Sequence, residues 1–363
     1  MKTTLYPIKD LRDFCVQVFV KCGVPEDDAM LAADVLATAD LWGIDSHGVA
    51  RLRSYYEMLE RELINPRPQI KIVRELPATA TIDGDNGLGL VVGPRANELA
   101  MEKAETTGAG WVSVCNSNHF GIAGYYTWAA MSRDLIGWAM TNTAALVSPL
   151  WGAERMLGTN PISVAFPAQD EPPVVVDFAT SAISFGAAET AIRNGETLPE
   201  GLMIDSEGHP TTLPSDVVEG GALLPLGLDR ICGGHKGYCL SSMIDILCGV
   251  LSGANWGPFV PPYPYYLKQP SRSVGKGWGH LFGAMKIEGF MAVDEFKERM
   301  DEWVSTFRGA VPASGTEGPL IPGDPERKSE ASRKDEGVPL TEAVVGDLRY
   351  LAARTETPFK LAD

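Results

Sequence analysis

The chain changes texture twice, and that change limits it to a mixed fold. Residues 7–62 read as three helices: "PIKDLRDFCVQVFVKCG", then "PEDDAMLAADVLATADLWG", opened by Pro25 and an acidic first turn, then "SHGVARLRSYYEMLEREL". From about 69 to 290 short β-rich runs take over, among them "QIKIVREL", "ATATID", "GWVSVC", "IGWAMTNT", "ISVAFPA" and "PPVVVDFA", punctuated by glycine and proline. Helical stretches interrupt this block near 93–107, 123–133, 182–193 and 237–253. Beyond 290, "VDEFKERMDEWVSTFRG" and a stretch near 341–354 are helical again, on either side of the loop "AVPASGTEGPLIPGDPE", too rich in Pro and Gly to be regular. No internal repeat is present. The pattern divides the chain into helices at 1–68, a β-rich lobe at 69–290 and C-terminal helices at 291–363, an α+β (mixed α/β) architecture.

Composition narrows the partners. With 363 residues and 45% hydrophobic content the chain can bury a substantial core. Its longest apolar helical candidate, "YCLSSMIDILCGVLSGA", carries Asp245 at its centre and is too short to cross a bilayer. The N-terminus lacks the apolar segment and cleavage site of a secretion signal, so a cytoplasmic location is expected. The six cysteines show neither C-x-x-C pairing nor zinc spacing, and neither disulfides nor a metal is expected. A net charge of −16 repels polyanions, which argues against a nucleic-acid partner. A small anionic substrate would have to meet a local cationic site.

One segment invites a dinucleotide-binding reading. "ATATIDGDNGLGLVVGPRANELAMEKAETTGAGWVSVC" runs strand, glycine turn, helix, strand, with Gly87, Gly89 and Gly93 in the turn and helix start. The Rossmann fingerprint needs G-x-G-x-x-G and an acidic residue closing the second strand to hold the ribose hydroxyls. Here the spacing is G-x-G-x-x-x-G, and the strand closes on Cys115, Asn116 and Ser117. The segment reads as a turn and a helix start.

Five other stretches concentrate chemistry. In "DSHGVARLRSYY" a helix capped by Asp45 or Ser46 would put His47, Arg51 and Tyr55 at i, i+4 and i+8 on one face, either a site or a solvated helix face. His119, in "CNSNHFG", stands where a buried strand ends. A neutral imidazole there can take an alcohol proton near pH 7, or it is a hydrogen-bonded structural histidine. "TNTAALVSPLWG" and "LGTNPISVAFP" offer hydroxyls and amides for a polar ligand, and turn chemistry explains them equally well. "VVVDFATSAISFG" stops an apolar strand at Asp177, with Thr180 or Ser181 expected to cap the next helix. "GGHKGYCLSSMIDILCGVLSG" opens a helix on a glycine turn with Lys236, a phosphate seat or a loop lysine in solvent, and Asp245 in that helix needs a buried partner.

Taken in order, "DSHG" followed by Arg51, "SNHFGIAGYY", "LGTNPI", "DFATS" and "GGHKG" resemble the malate/L-lactate dehydrogenase-like oxidoreductases. That family lacks a Rossmann fold and includes ureidoglycolate, sulfolactate and 2,3-diketogulonate-type dehydrogenases and cyclic imine carboxylate reductases. The resemblance spans essentially the whole chain. It implies hydride transfer between a nicotinamide, NAD with NADP as the alternative, and a small 2-hydroxy or 2-oxo carboxylic acid. It also implies a helical lobe built from both termini, to which the helices of 291–363 return, a non-Rossmann nucleotide-binding lobe rich in β-structure, and a homodimer. Carried onto matching positions, it makes His119 the proton acceptor, with Ser46 and His47 beside it in catalysis and Arg51 and Tyr55 on the substrate. Thr143, Asp177, Phe178, Ala179 and Lys236 fall at cofactor positions, and Gly277, Trp278 and Gly279 add cofactor contacts. In "SFGAAE" many members place a lysine after the glycine, and the imine reductases an aspartate, where this chain has Ala187; that weakens the imine reductase alternative. The run "LWGAERMLGTNPI" keeps ureidoglycolate oxidation open. A catalytically idle nucleotide-binding protein on the same fold is the alternative of another class.

Overall fold

The computed structural model describes residues 3–263 and 269–359. Strand β1 (Thr3–Tyr6) leads into helices α1 (Ile8–Lys21) and α2 (Glu26–Leu41); two 3-10 turns span 45–51, and α3 (Leu52–Glu60) follows. In α1, Leu11, Phe14, Cys15, Val18 and Phe19 recur at the helical period and bury one face. Strands β2 (Lys71–Leu76) and β3 (Thr79–Asp83) pair antiparallel, and α4 (Gly89–Thr107) returns the chain to β4 (Ala109–Ser117), parallel to β3. Helix α5 (Ala123–Ala129) precedes β5 (Leu135–Thr141), β6 (Ile162–Phe166) and β7 (Val174–Phe178). After α6 (Phe185–Asn194) comes a small unit of β8 (Met203–Ile204), β9 (Pro210–Thr211), α7 (Pro214–Val218) and β10 (Ala222–Leu223). Helix α8 (Gly234–Asp245) continues as a π-helical turn through Val250, and β11 (Trp278–Lys286) completes the sheet.

The seven-stranded sheet has the order β2-β3-β4-β11-β5-β6-β7, and among the described residues β3 and β4 are its one parallel pair. A Rossmann sheet is parallel and doubly wound; this one is a non-Rossmann mixed sheet. Strand β11 comes from far along the chain and separates β4 from β5. Its pairing sets Trp278 opposite Ser117, two residues before His119.

The remaining elements are α9 (Val293–Arg308), α10 (Asp324–Glu336), β12 (Val338–Thr341) and α11 (Glu342–Thr355). Strand β12 pairs antiparallel with β1, and Val338, Leu340, Val345, Leu348 and Leu351 join one core with α1, α2 and α3. Both termini thus build the helical lobe. Helix α9 corrects the expectation that all of 291–363 returns there. Its Val293, Phe296, Met300 and Val304 form one apolar stripe, and that stripe packs on the sheet, with Val304 buried beside Val174 and Ile321. Helix α10 begins inside the stretch read as irregular. Pro325 sits in its first turn, where a missing N–H breaks no helical bond. The six cysteines are free, and no helix among the described residues is long and apolar enough to cross a membrane.

Candidate active site

Asp40, at the end of α2, shapes the first site segment. Its carboxyl Oδ2 accepts from the Val49 backbone N–H at 2.9 Å, and any Cβ on Gly48 would collide with the same carboxyl group. The helix expected to start at 46 therefore breaks at Gly48 into two 3-10 turns, and the α-helix begins only at Leu52. His47, Arg51 and Tyr55 consequently approach the site from different turns instead of sharing one helix face. Ser46 orients two of them: its carbonyl accepts from Arg51 Nε at 2.6 Å, and its hydroxyl lies 2.8 Å from His47 Nδ1. Burial pushes the Asp40 carboxyl up to about 8.

His119 follows the end of β4, and α4 holds it from behind. Gly89 opens α4 with its Cα pressed on the carbonyls of Asn118 and His119, where a side chain has no room. The Gly87-Leu88-Gly89 turn is thus filled by the protein's own backbone, as a turn and a helix start. The His119 ring lies between Tyr263, at 4.7 Å and 12°, and His47, at 5.5 Å and 23°. Trp278 presents its edge at 5.7 Å. The Tyr55 hydroxyl is 2.6 Å from His119 Nδ1, and the Gly121 N–H donates to the same nitrogen at 3.3 Å. Burial first, then the neighbouring His47 and Arg51, hold the His119 imidazole well below its ordinary range; burial takes His47 down to about 4. Both rings are neutral at pH 7. Tyr55 is fully buried, which raises its phenol well above the usual range and keeps it protonated.

His47, Arg51 and His119 line a cavity of about 350 Å³, together with Thr143, Asp177, Phe178, Ala179 and Trp278. Five expected site residues stand outside its lining. Ser46 acts on Arg51 and His47 from their flank, and Tyr55 lies behind His119. Gly277 and Gly279 flank Trp278, and Gly279 is pressed against the Cys248 carbonyl. Lys236 is exposed in the first turn of α8. That turn connects to the cavity through Leu226, which packs on Gly237 and donates its N–H to the Thr180 carbonyl at 2.9 Å. A neutral imidazole, a guanidinium and a set of hydroxyl and backbone groups around one cavity suit proton exchange with a small carboxylic acid.

The family model for malate/L-lactate dehydrogenase matches residues 6–349. The chain belongs to this family. It is 43% identical to the malate dehydrogenase of Pyrococcus horikoshii over 349 residues, 96% of this chain and 94% of that one. It is 44% identical to the L-sulfolactate dehydrogenase of Methanocaldococcus jannaschii over 320 residues, 88% of each. The crystal structure of malate dehydrogenase from Entamoeba histolytica superposes with a TM-score of 0.93 at 33% identity, covering 99% of this chain and 100% of that one. Family membership makes the chain an oxidoreductase of hydroxy acids.

A dehydrogenase needs a hydride acceptor, and the residues present fit a nicotinamide dinucleotide. The cavity beside His119 has room for a nicotinamide ring and a small acid, and Phe178 stands 36% exposed in its lining. At the N-terminus of α8 the buried His235 Nδ1 finds no hydrogen-bond partner among the described residues, next to Lys236. Asp177 Oδ2 accepts from the Gly124 N–H at 2.7 Å; burial, with Glu326 adding to it, lifts its carboxyl to about 7. The expected caps at Thr180 and Ser181 give way to Ser184, whose hydroxyl accepts from the Ala187 N–H and starts α6. Thr180 instead donates to the Asn160 carbonyl. Asp245 has its partners in the Gly257 N–H and the Asn142 amide. Sequence reading missed Tyr263, Glu326 and Glu189. The signal for Tyr263 was the aromatic run "YPYY", whose remainder lies outside the described residues. Glu326 rides on α10, at the end of the stretch read as loop.

Proposed function

We propose that the protein is an NAD(P)-dependent dehydrogenase that interconverts small 2-hydroxy and 2-oxo acids. The observation that carries this reading is the neutral His119, held between Tyr263 and His47 in the cavity that Arg51 also lines. Arg51 has its Nε engaged by the Ser46 carbonyl, and its terminal nitrogens, with Nη2 3.8 Å from Glu189 Oε2, grip the substrate carboxylate as a fork. A bound nicotinamide supplies the hydride acceptor in oxidation and the donor in reduction. His119 exchanges the proton with the substrate oxygen. Tyr55 serves both directions, because a hydroxyl donates or accepts. When it donates to Nδ1, alongside the Gly121 N–H, the neutral ring carries its proton on Nε2 and hydrogen-bonds the substrate oxygen; in reduction the ring first takes up a proton, and this imidazolium protonates the developing alkoxide and returns to neutral. In the other tautomer, which gives up the 3.3 Å contact from the Gly121 N–H, Nδ1–H donates to Tyr55 and Nε2 is free to take the hydroxyl proton, and burial beside His47 and Arg51 favours release of that proton afterwards. Thr143, Asp177, Phe178 and Ala179 line the cofactor side, and Lys236 with the positive end of α8 receives the phosphates.

The test is oxidation of NADH and of NADPH with a panel of 2-oxo acids set against cyclic imine carboxylates. The expected result is turnover of 2-oxo acids. Turnover of the imines alone would make the protein an imine reductase, and nucleotide binding without turnover of any compound would make it a binding protein.

A further inference from the structure

We propose that the site is built for acids bearing a single negative charge, and that Glu189 and Ala187 of α6 set this limit. The inference rests on the hydroxy-acid reading above and names the substrate class within it. Among the described residues that line the cavity, Arg51 carries the one full positive charge, because His47 and His119 are neutral. Two acidic side chains, Asp177 and Glu326, line the same space. Arg51 is itself shared: Nη2 faces Glu189 Oε2 at 3.8 Å, and both side chains are only 20% exposed, where water screens them weakly. One substrate carboxylate can be matched by this guanidinium. A second carboxylate or a sulfonate would find no lysine or further arginine among the described lining residues, and would face Glu326 and the carboxyl of Asp177, while Glu189 draws on the charge of Arg51.

The backbone of α6 keeps the balance this way. A Cβ on Gly186 would lie 3.3 Å from Ser46 Cβ and 3.9 Å from Arg51 Nη2, so the first turn of α6 runs along the substrate side of Arg51. The next residue in that turn, Ala187, is exposed and adds no charge. The net charge of −16 acts in the same direction, repelling a dianion more than a monoanion. Malate and sulfolactate, which appear in the names of two relatives, each carry two anionic groups. The inference separates this chain from them and points to acids with an uncharged side chain.

The experiment compares oxaloacetate with 2-oxosuccinamate, which has nearly the same shape with a neutral amide in place of the distal carboxylate, and with 2-oxobutanoate. The wild-type protein should show kcat/KM at least tenfold higher for the two singly charged acids, in the presence of NADH or NADPH. Ala187→Lys, and separately Glu189→Gln, should narrow that ratio about tenfold by raising the value for oxaloacetate. A wild-type protein that reduces oxaloacetate as well as or better than 2-oxosuccinamate overturns the inference and leaves the hydroxy-acid reading intact. Failure to reduce any of the three overturns both.

Discussion

His119 takes its chemistry from its surroundings, and Tyr55 is the clearest instance. The resemblance placed Tyr55 on the substrate, yet its phenol is fully buried behind the imidazole, packed against Tyr263 at 5.0 Å and Phe19 at 6.3 Å. On the proposed mechanism it acts on the substrate through His119. Tyr55→Phe keeps the packing and removes one hydrogen bond in a dry site, so kcat should fall about tenfold while KM for the acid stays unchanged. A rise in KM with kcat preserved would return Tyr55 to direct substrate contact. That His119, Arg51 and Asp177 belong around one cavity was legible because each stands in a short motif. The direction of Tyr55 was not, because it depends on the break at Gly48, and that break depends on Asp40, five residues before the motif begins.

Elements were legible where one period ran unbroken and hidden where a tertiary contact interrupted it. Helices α1 and α2 and the strands from β3 to β7 follow their sequence patterns. The segment 45–51 does not, since the Asp40 carboxyl captures the Val49 N–H and fits against Gly48. The same carboxyl carries a pH signature. Its folded-state value of about 8 lies above the ordinary 3.8, so the folded state holds this proton more tightly than the unfolded chain. Its stabilising share is complete below about pH 4, declines as pH rises towards 8, and is flat above. Asparagine keeps an oxygen for the Val49 N–H and cannot ionise. Thermal unfolding of Asp40→Asn should therefore gain on the wild type between pH 5 and pH 8.5, by an amount on the order of a few kcal/mol. A constant difference across that range would show that Asp40 does not titrate there. The turn at Gly87–Gly89 is the turn and helix start that its sequence suggested, and its close approach to the His119 backbone supports that residue.

At the scale of the whole molecule, the cavity draws on 3-10 turns from the helical lobe, the ends of β4, β5 and β7, the first turn of α6, Tyr263 and α10. No sequence pattern could show that convergence, because β11 inserts between β4 and β5 only in the folded sheet and α10 crosses over from the C-terminal half. Assembly belongs to this scale as well. Strand β2 stands at the sheet edge with Ile72, Val73 and Leu76 exposed by 47%, 53% and 67%, a surface that suits burial against a second copy. Light scattering at micromolar concentration should give the mass of a homodimer, and a monomer mass would contradict that expectation. The central claim is that His119 moves the proton that accompanies hydride transfer, and the kcat of His119→Ala on a 2-oxo acid with saturating NADH or NADPH tests it most directly. The predicted result is a loss of roughly 10²–10⁴-fold with circular dichroism and nucleotide affinity unchanged; near-normal turnover by a folded His119→Ala variant would contradict it.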